Sequence, residues 1–294
     1  MDIIPLAKGF GAELRGVTLA EAAADDAAYK EVRAAFEEHS VLLFRGQDVS
    51  DETQLAYSRR FGTLEVTKVG SEGTGTNLVI LKTLDDKGNV VPEDHRLALR
   101  NKANQLWHTD SSFKATPALA SVLSARTIPE NGGETQFTST RLAWERLGAA
   151  QKAELRDLIV VHSYANSRDQ IDPQLMTPEE RAALPPVRWR LTWHNPANGH
   201  DALYIASHAA AIEGMGNNEG RALLARLVEY ATYEPHTYLH RWRTGDVVMW
   251  DNRASMHRGR PWPGTQARLM VRTTISAREE DGLDKVRPDR PVGL

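Results

Sequence analysis

Two short segments of the chain contain the side chains best suited to hold a metal ion. In the first, Trp107-His108-Thr109-Asp110, a histidine and a carboxylate stand two positions apart. In a strand, residues two apart point to the same side, so His108 and Asp110 can share one ion. In the second, a polar turn after the apolar run 247–250 leads to His257. Taken singly, the first motif also fits a strand with polar residues facing water, and His257 also fits a packed histidine.

Taken together, these residues match the two-histidine, one-carboxylate set that holds Fe(II) in non-haem oxygenases. Such ligands occupy one face of the metal and leave positions open for a bidentate co-substrate and O2. Downstream, Arg268 and Arg272 stand four positions apart, and a guanidinium grips a carboxylate at two points. A zinc hydrolase can use the same three ligands, but it has no need for Arg268. The residues thus predict a metal site with an anchor for an oxo-acid.

The elements around these motifs alternate in a way that predicts mixed α and β structure. An amphipathic helix over 26–40 leads into an apolar strand over 40–45, a helix capped by Ser50 follows, and another helix covers 221–232. The remaining apolar runs are short and separated by turns, at 77–82, 118–125, 135–138, 202–206, 237–242, 246–250 and 268–275. Many short strands with few crossover helices favour an antiparallel sandwich or roll. We expect a mainly β fold with helical insertions.

Length and composition indicate one folded unit. The 294 residues are 41% hydrophobic and 26% charged, an ordinary balance for a globular chain. No internal repeat, low-complexity tract or composition shift marks a linker. We therefore expect a single domain over 1–276, followed by a charged, proline-bearing tail over 277–294.

Several functional classes are excluded or disfavoured by composition. The chain has no cysteine, which excludes disulfides, thiol catalysis, thiolate zinc sites and iron–sulfur clusters. Its net charge is −3, so no global basic field exists to hold nucleic acid, although this leaves room for a local basic patch. Charged residues interrupt segment 1–20, which therefore has no secretory core, and no apolar run reaches the roughly 18 residues of a membrane span. We expect a cytoplasmic protein whose partner is a small molecule, neither nucleic acid nor membrane.

Four stretches, in this order along the chain, form a wider pattern. They are Ser-Val-Leu-Leu-Phe-Arg-Gly-Gln over 40–47, the Trp-His-Thr-Asp segment within 103–113, Gly-Gly-Glu-Thr over 132–135, and Val-Met-Trp-Asp-Asn-Arg over 248–253 with His-Arg-Gly-Arg over 257–260. This pattern resembles the Fe(II)/2-oxoglutarate-dependent dioxygenases of the taurine/2,4-dichlorophenoxyacetate dioxygenase family. The resemblance covers the chain to about residue 276, is closest to the 2,4-dichlorophenoxyacetate branch, and implies a double-stranded β-helix, or jelly roll.

The resemblance also implies which residues bind the metal and the co-substrate. Fe(II) is expected on His108, Asp110 and His257. Thr135, in the Gly-Gly-x-Thr motif, and Arg268, eleven positions after His257, match the residues that bind the distal carboxylate of 2-oxoglutarate. These five residues form the implied catalytic and cofactor-binding set.

A second set of residues matches substrate-side positions of the family. Arg272 stands at the position that binds the acid group of the substrate, and Asn104 and Ser111 fall at substrate positions of the Trp-His-Thr-Asp segment. His208 and His194 stand where the phenoxyacetate branch places pocket histidines. The resemblance therefore implies a small organic acid as substrate.

The chain departs from the family pattern in the glycine-rich loop over 70–77. Lys68 and Lys87 lie on either side of this loop, in a variable region where the phenoxyacetate branch uses lysines near the substrate carboxylate. For both lysines we expect a solvated surface position.

The implied reaction consumes O2 and converts 2-oxoglutarate to succinate and CO2. Hydroxylation of the carbon next to the carboxylate of an aryloxyalkanoate gives a hemiacetal, which collapses to a phenol and glyoxylate. One alternative is an alkylsulfonate dioxygenase of the taurine type, since Arg272 fits either anion. Another is a non-enzymatic jelly-roll protein that binds a metal or ligand, because this fold alone does not prove catalysis. The family commonly forms oligomers, which leaves a homo-oligomer open.

Overall fold

The computed structural model describes residues 1–67, 73–85, 87, 89–92 and 96–288, except the side chains of residues 96, 97, 100 and 101. In this part of the chain the strands are β1 Asp2–Ala7, β2 Phe10–Arg15, β3 Val41–Phe44, β4 Val79–Lys82, β5 Ala118–Thr127, β6 Thr135–Ser139, β7 Ile159–His162, β8 Val187–Arg190, β9 Thr192–His194, β10 Asp201–Leu203, β11 Ala209–Ile212, β12 Thr237–His240, β13 Val247–Asp251, β14 Ser255–Gly259 and β15 Leu269–Ser276. The helices are α1 Leu19–Ala24, α2 Asp26–His39, α3 Asp51–Phe61, α4 Arg96–Ala103, α5 Thr140–Glu145, α6 Ala149–Leu155, α7 Tyr164–Asp169, α8 Pro178–Ala183, α9 Asn217–Ala231 and α10 Leu283–Val286. Among these described helices, none combines the length and apolar character that crossing a membrane requires.

The strands form one large sheet and three small ones. The large sheet has the order β1-β2-β3-β13-β5-β15-β4, and its neighbours are antiparallel except for the parallel pair β2 and β3. The small sheets have the orders β12-β6-β14, β11-β7-β8 and β10-β9, all antiparallel. The predicted sheet-rich fold with helical insertions is confirmed.

Strand β3 shows why its sequence is apolar at every position. Val41 and Leu43 pack with Phe137 of β6 in the core between the large sheet and the β12-β6-β14 sheet. Leu42 and Phe44 point the other way, into a second core that α1, α2 and α3 cover. A strand buried on both faces has no polar positions to alternate. Helices α1–α3, the large sheet and the β12-β6-β14 sheet thus form three packed layers. The candidate site is built on these layers.

The predicted helices form close to their expected bounds. Asp25 caps α2 by accepting from the backbone N–H of Ala28, and Ser50 caps α3 in the same way, which satisfies free amides of each first turn. Helix α9 begins at Asn217, earlier than the predicted residue 221. Its first turn is polar, so no apolar periodicity marks it in the sequence.

The C-terminal segment differs from the predicted tail over 277–294. Leu283 and Val286 are buried in the core beneath the large sheet, and the Trp193 indole donates to the Asp281 carbonyl at 2.9 Å. The many charged residues around these two apolar positions hide them from a composition-based prediction. Residues 289–294 lie outside the described chain, and the single-domain organisation stays a prediction.

A buried ion network ties this segment to the rest of the fold. Arg253 is 1% exposed and donates to Asp251 at 2.8 and 2.9 Å and to Glu37 of α2 at 2.7 Å. Its guanidinium also reaches the Asp281 carbonyl at 3.4 Å. The network thus joins the end of β13, helix α2 and the C-terminal segment.

We expect the Arg253→Met variant to lose about 3–5 kcal/mol of the free energy of unfolding, because buried Asp251 loses its cationic partner and Glu37 loses one of two. Urea denaturation followed by circular dichroism measures the loss. Arg181→Met is the matched control, since Arg181 pairs with Asp169 on the surface, and it should keep the wild-type midpoint. Equal midpoints for Arg253→Met and wild type would contradict the structural role of the network.

Candidate active site

The two histidines of the predicted metal set are joined through their backbones. His257 lies in β14, and an isolated antiparallel bridge pairs it with His108 through two N–H···O=C bonds of 2.8 and 2.9 Å. After this bridge the chain turns at Asp110, and Ser111 takes the left-handed conformation with φ of 55°. One ligand atom each from His108, Asp110 and His257 lie within 4.8 Å of one another. The three residues therefore meet as predicted, but a bridge followed by a turn unites them, and the predicted strand does not form.

Asn252 holds the Asp110 segment in place. Its side-chain oxygen accepts from the backbone N–H of Asp110 at 3.0 Å and from the Thr109 hydroxyl at 3.1 Å. Its amide nitrogen donates to Ser121 at 3.1 Å, and Ser121 in turn donates to Asp110 Oδ2 at 2.7 Å. No sequence motif predicts this role for Asn252 or Ser121. The polar Asp-Asn-Arg sequence at the end of an apolar strand is the one feature that could have indicated a functional role for Asn252.

We expect the Ser121→Ala variant to bind Mn(II) about 10- to 100-fold more weakly, the usual cost of losing an outer partner of a metal ligand. Isothermal titration of the metal-free protein measures this affinity without relying on activity. Ser124→Ala is the matched control, because Ser124 lies on the same strand and donates to Gln54. Equal weakening in both variants would indicate a general packing defect.

The protonation states of the three residues suit a divalent metal. Burial lowers the pKa of His108 and lowers the pKa of His257 well below its usual value, so both rings are neutral. Burial alone would raise the pKa of Asp110, but the charge of the Arg272 guanidinium lowers it well below the usual range. His108 Nδ1 lies 2.7 Å from the Leu106 carbonyl, an outer contact that fixes the tautomer of metal-binding histidines.

The orientation of His257 supports the same interpretation. His257 Nε2 lies 3.8 Å from Asp110 Oδ2, so this nitrogen faces the carboxylate. Its Nδ1 is buried and has no hydrogen-bond partner in the part of the chain that the structure describes. Neutral imidazoles beside a carboxylate form a donor set that fits Fe(II) and similar metals.

Arg268 is a buried cation beside this set. It lines a cleft of about 530 Å³ together with His108, His257, Thr135 and Arg272. Burial lowers the pKa of Arg268 to about 10, so it keeps its charge at neutral pH. Within the described ranges it has no acidic partner, and its Nε has no hydrogen-bond acceptor. A buried, unpaired guanidinium is costly, and an anionic ligand would relieve that cost.

The Gly-Gly-x-Thr motif shapes the wall of this cleft. Gly133 has φ of 72°, and a Cβ there would lie 2.9 Å from Pro129 and 3.5 Å from Arg268 Nε. A side chain there would collide with Pro129, and the backbone conformation also favours glycine. Thr135, two residues on, accepts from the Trp242 indole at 3.0 Å, and the Trp262 ring lies 4.9 Å from the Arg268 guanidinium. These contacts hold the two predicted co-substrate residues on one wall.

Arg272 stands between the first cleft and a second one. Its Nη1 donates to Asp110 Oδ1 at 2.6 Å, while its Nε finds no acceptor among the described residues. The second cleft, of about 440 Å³, is lined by Arg272, Ser111, Phe113 and Glu65 among others. Arg272 therefore retains a free donor near the metal set, as its predicted role requires.

The structure places the other predicted substrate residues at different distances from the site. Asn104 lines the first cleft. His208 is buried, with its ring centroid 4.8 Å from Phe113 and 6.3 Å from His108, so it lies beside the site. His194 does not reach it. Its exposed ring pairs with Asp201 at 2.8 Å, because alternation along β9 turns Trp193 inward and His194 outward.

Of the two lysines in the variable region, the structure describes Lys87, which does not line either cleft. Lys87 is exposed, and its backbone N–H donates to Asp85, which agrees with the expected surface position. Lys68 lies outside the described residues.

Comparison with known proteins agrees with this geometry. The family described as "Taurine catabolism dioxygenase TauD, TfdA family" matches residues 2–274. The chain belongs to this family. It is 38% identical over 275 residues to the alpha-ketoglutarate-dependent 2,4-dichlorophenoxyacetate dioxygenase of Cupriavidus pinatubonensis, covering 92% of this chain and 96% of that one. It is 33% identical to the (S)-phenoxypropionate/alpha-ketoglutarate-dioxygenase of Sphingobium herbicidovorans, covering 94% of each.

Solved structures of TauD/TfdA-family proteins are similar in fold. The crystal structure of AAD-2 in complex with Mn(II) and N-oxalylglycine has a TM-score of 0.88 and 36% identity, covering 96% of this chain and 99% of that one. A taurine dioxygenase from Burkholderia xenovorans has a TM-score of 0.74 and 28% identity, covering 94% and 91%. The family resemblance drawn from four sequence stretches is confirmed.

Proposed function

We propose that this TauD/TfdA-family protein is an Fe(II)- and 2-oxoglutarate-dependent dioxygenase that oxidises aryloxyalkanoates. The observation that carries the proposal is the buried Arg268 guanidinium, which has no acidic partner among the described residues and shares a cleft with His108 and His257, two members of the metal set that Asp110 completes. Such a pair of features is suited to a dicarboxylic co-substrate that reaches both a metal and a cation. The relatives named for 2,4-dichlorophenoxyacetate and phenoxypropionate support the substrate class.

His108, Asp110 and His257 would hold the metal. When bound, Fe(II) supplies the activation of O2 and the oxidative decarboxylation of 2-oxoglutarate to succinate and CO2. The protein orients the ligands beforehand, since the Leu106 carbonyl holds His108 and Ser121 holds Asp110. The structurally similar AAD-2 was crystallised in complex with Mn(II) and N-oxalylglycine, which supports a divalent metal and an oxo-acid as the ligands here.

Arg268 and Thr135 would bind the distal carboxylate of 2-oxoglutarate. The guanidinium lies over the Trp262 ring at 4.9 Å, so its planar fork is oriented before the carboxylate arrives. The low-dielectric surroundings strengthen a charge-assisted pair of this kind. The Thr135 hydroxyl, which already accepts from Trp242, can donate its own hydrogen to the same carboxylate.

Arg272 would bind the acid group of the substrate, with Ser111, Asn104 and His208 nearby. Because Arg272 bonds Asp110 directly, an acid held by its free Nε lies close to the metal set. Oxidation then falls on the carbon next to the carboxylate. One oxygen atom of O2 enters that C–H bond, and the resulting hemiacetal collapses to a phenol and glyoxylate.

We also propose that the large sheet and the β12-β6-β14 sheet form a double-stranded β-helix within one domain that extends to about residue 286. The shared core of Val41, Leu43 and Phe137 between the two sheets supports this arrangement. The burial of Leu283 and Val286 supports the extended boundary.

Succinate formation with Fe(II), ascorbate and 2-oxoglutarate tests the proposal, with phenoxyacetates, 2-phenoxypropionates and taurine compared in parallel. We expect aryloxy acids to stimulate succinate formation with an equal yield of phenol. Stimulation by taurine alone, with release of sulfite, would replace the substrate class and keep the metal site. No succinate under any condition would support the non-enzymatic alternative.

A further inference from the structure

The second cleft contains a carboxylate that the proposed reaction does not use. Glu65 has a side chain only 10% exposed. Its Oε2 accepts from the Lys114 ammonium at 2.5 Å and from the Ser111 hydroxyl at 2.9 Å. Its Oε1 is buried and has no donor among residues 1–67, 73–85, 87, 89–92 and 96–288. Both donors converge on one oxygen, so the other is left as a free acceptor.

The backbone of Glu65 is fixed relative to the proposed substrate anchor. The Glu65 N–H donates to the Thr274 carbonyl at 2.8 Å, and Leu64 forms a bridge with Ile275. Both partners lie on β15, the strand that carries Arg272. Because Arg272 and Glu65 line the same cleft, a cation and a free carboxylate oxygen are presented to one ligand from a rigid frame.

The other walls of the cleft suit a ring between these two groups. Val66, Val79 and Phe113 contribute apolar surface, and the remaining lining is polar. An aryloxy acid with a plain, methyl or chloro ring would leave Glu65 Oε1 buried without a partner, an unfavourable state that the ligand-free protein already has. A ring that carries an O–H or N–H group would donate to this oxygen and relieve that state.

We propose that Glu65 selects aryloxyalkanoates whose ring carries a hydrogen-bond donor, a hydroxyl or an amine, over rings that carry methyl or chlorine at the same position. This inference rests on the proposed function, and it makes Glu65 a specificity-determining residue. Arg272 recognises the acid at one end of the substrate. Glu65 recognises the donor on the ring, while Lys114 and Ser111 hold its carboxylate in one orientation.

Matched sets of ring-substituted phenoxyacetates test this inference. Methyl, hydroxyl and amino groups are similar in size, so each ring position gives one set. At the preferred position we expect the wild-type kcat/KM for the hydroxyl or amino acid to exceed that for the methyl acid by about tenfold or more, the usual gain from a hydrogen bond to a charged group. A ratio at or below one at every ring position overturns the inference.

Two variants distinguish the effect of the Glu65 carboxylate on the substrate preference from the effect of the other residues that line the cleft. We expect Glu65→Leu to bring the hydroxyl-to-methyl ratio of kcat/KM to about one or to invert it, because the acceptor is gone. Glu65→Gln keeps an oxygen acceptor and should retain part of the preference. A ratio that stays at the wild-type value in Glu65→Leu overturns the inference. If thermal unfolding shows that Glu65→Leu does not fold, the wild-type ratio of kcat/KM and the ratio in Glu65→Gln still test the inference.

Glu213→Gln is the control variant, since Glu213 pairs with Arg188 away from both clefts, and it should show the wild-type ratio. Unsubstituted phenoxyacetate distinguishes the two proposals. If it stimulates succinate formation and no donor preference is found, only the role of Glu65 fails. If no aryloxy acid stimulates succinate formation, the proposed function fails, and this inference fails with it.

Discussion

The His108→Ala and Asp110→Ala variants should each lose more than about 100-fold of the acid-stimulated succinate formation, since even an outer partner of a metal ligand contributes about 10- to 100-fold. Each substitution removes one of three ligand atoms that lie within 4.8 Å of one another. The remaining two residues cannot hold one face of the metal. Succinate and phenol yields, measured at saturating Fe(II) and 2-oxoglutarate, show the loss.

His194→Ala is the control for these variants, because its ring is exposed and pairs with Asp201 outside the clefts. It should keep wild-type activity. Mn(II) titration provides a second readout, and binding should be lost in both alanine variants while thermal unfolding shows that they fold. Activity retained by either variant would overturn the metal assignment.

The second large effect distinguishes the roles of two arginines, Arg268 and Arg272, which stand four positions apart. Arg268→Ala should raise the KM for 2-oxoglutarate by roughly 30-fold or more, because truncating one partner of a buried charge pair costs about 2–5 kcal/mol. Arg272→Ala should instead raise the KM for the aryloxy acid. It should leave 2-oxoglutarate decay that is no longer coupled to phenol release.

Measuring succinate and phenol separately resolves the two roles. In Arg268→Ala both products fall together at low 2-oxoglutarate and recover together when its concentration is raised. In Arg272→Ala the ratio of phenol to succinate falls. If both variants showed the same defect, the division between co-substrate and substrate would be wrong.

Residue types and their order identified the metal set, because a two-histidine, one-carboxylate combination is rare enough to be informative when an arginine pair follows it. The geometry that unites the set could not be read from the sequence. His108 and Asp110 were expected on a strand, whereas a single bridge to His257 and a left-handed Ser111 bring them together. Such a bridge depends on a distant segment, which local periodicity does not report.

Three further features of the structure could not be predicted from the sequence, for related reasons. Asn252 and Ser121 act through hydrogen bonds to Asp110, and polar residues at a strand end or within a strand have many common uses. The outward direction of His194 depends on the register of β9, which a motif match does not contain. Leu283 and Val286 are buried in a core that remote segments assemble. Because their neighbours in sequence are charged, local composition predicts an exposed tail.

The strand order of the large sheet has a consequence for how the chain folds. The centre of the sheet pairs β3, near the amino terminus, with β13, where Val247 faces Phe44. Beyond β13, the late strand β15 lies between the earlier strands β5 and β4. Closing such long chain loops before any contact stabilises them makes folding slow for a protein of this size. During synthesis, the early strands must wait for the last third of the chain to leave the ribosome. Chaperone protection of those exposed apolar strands is therefore most valuable late in translation.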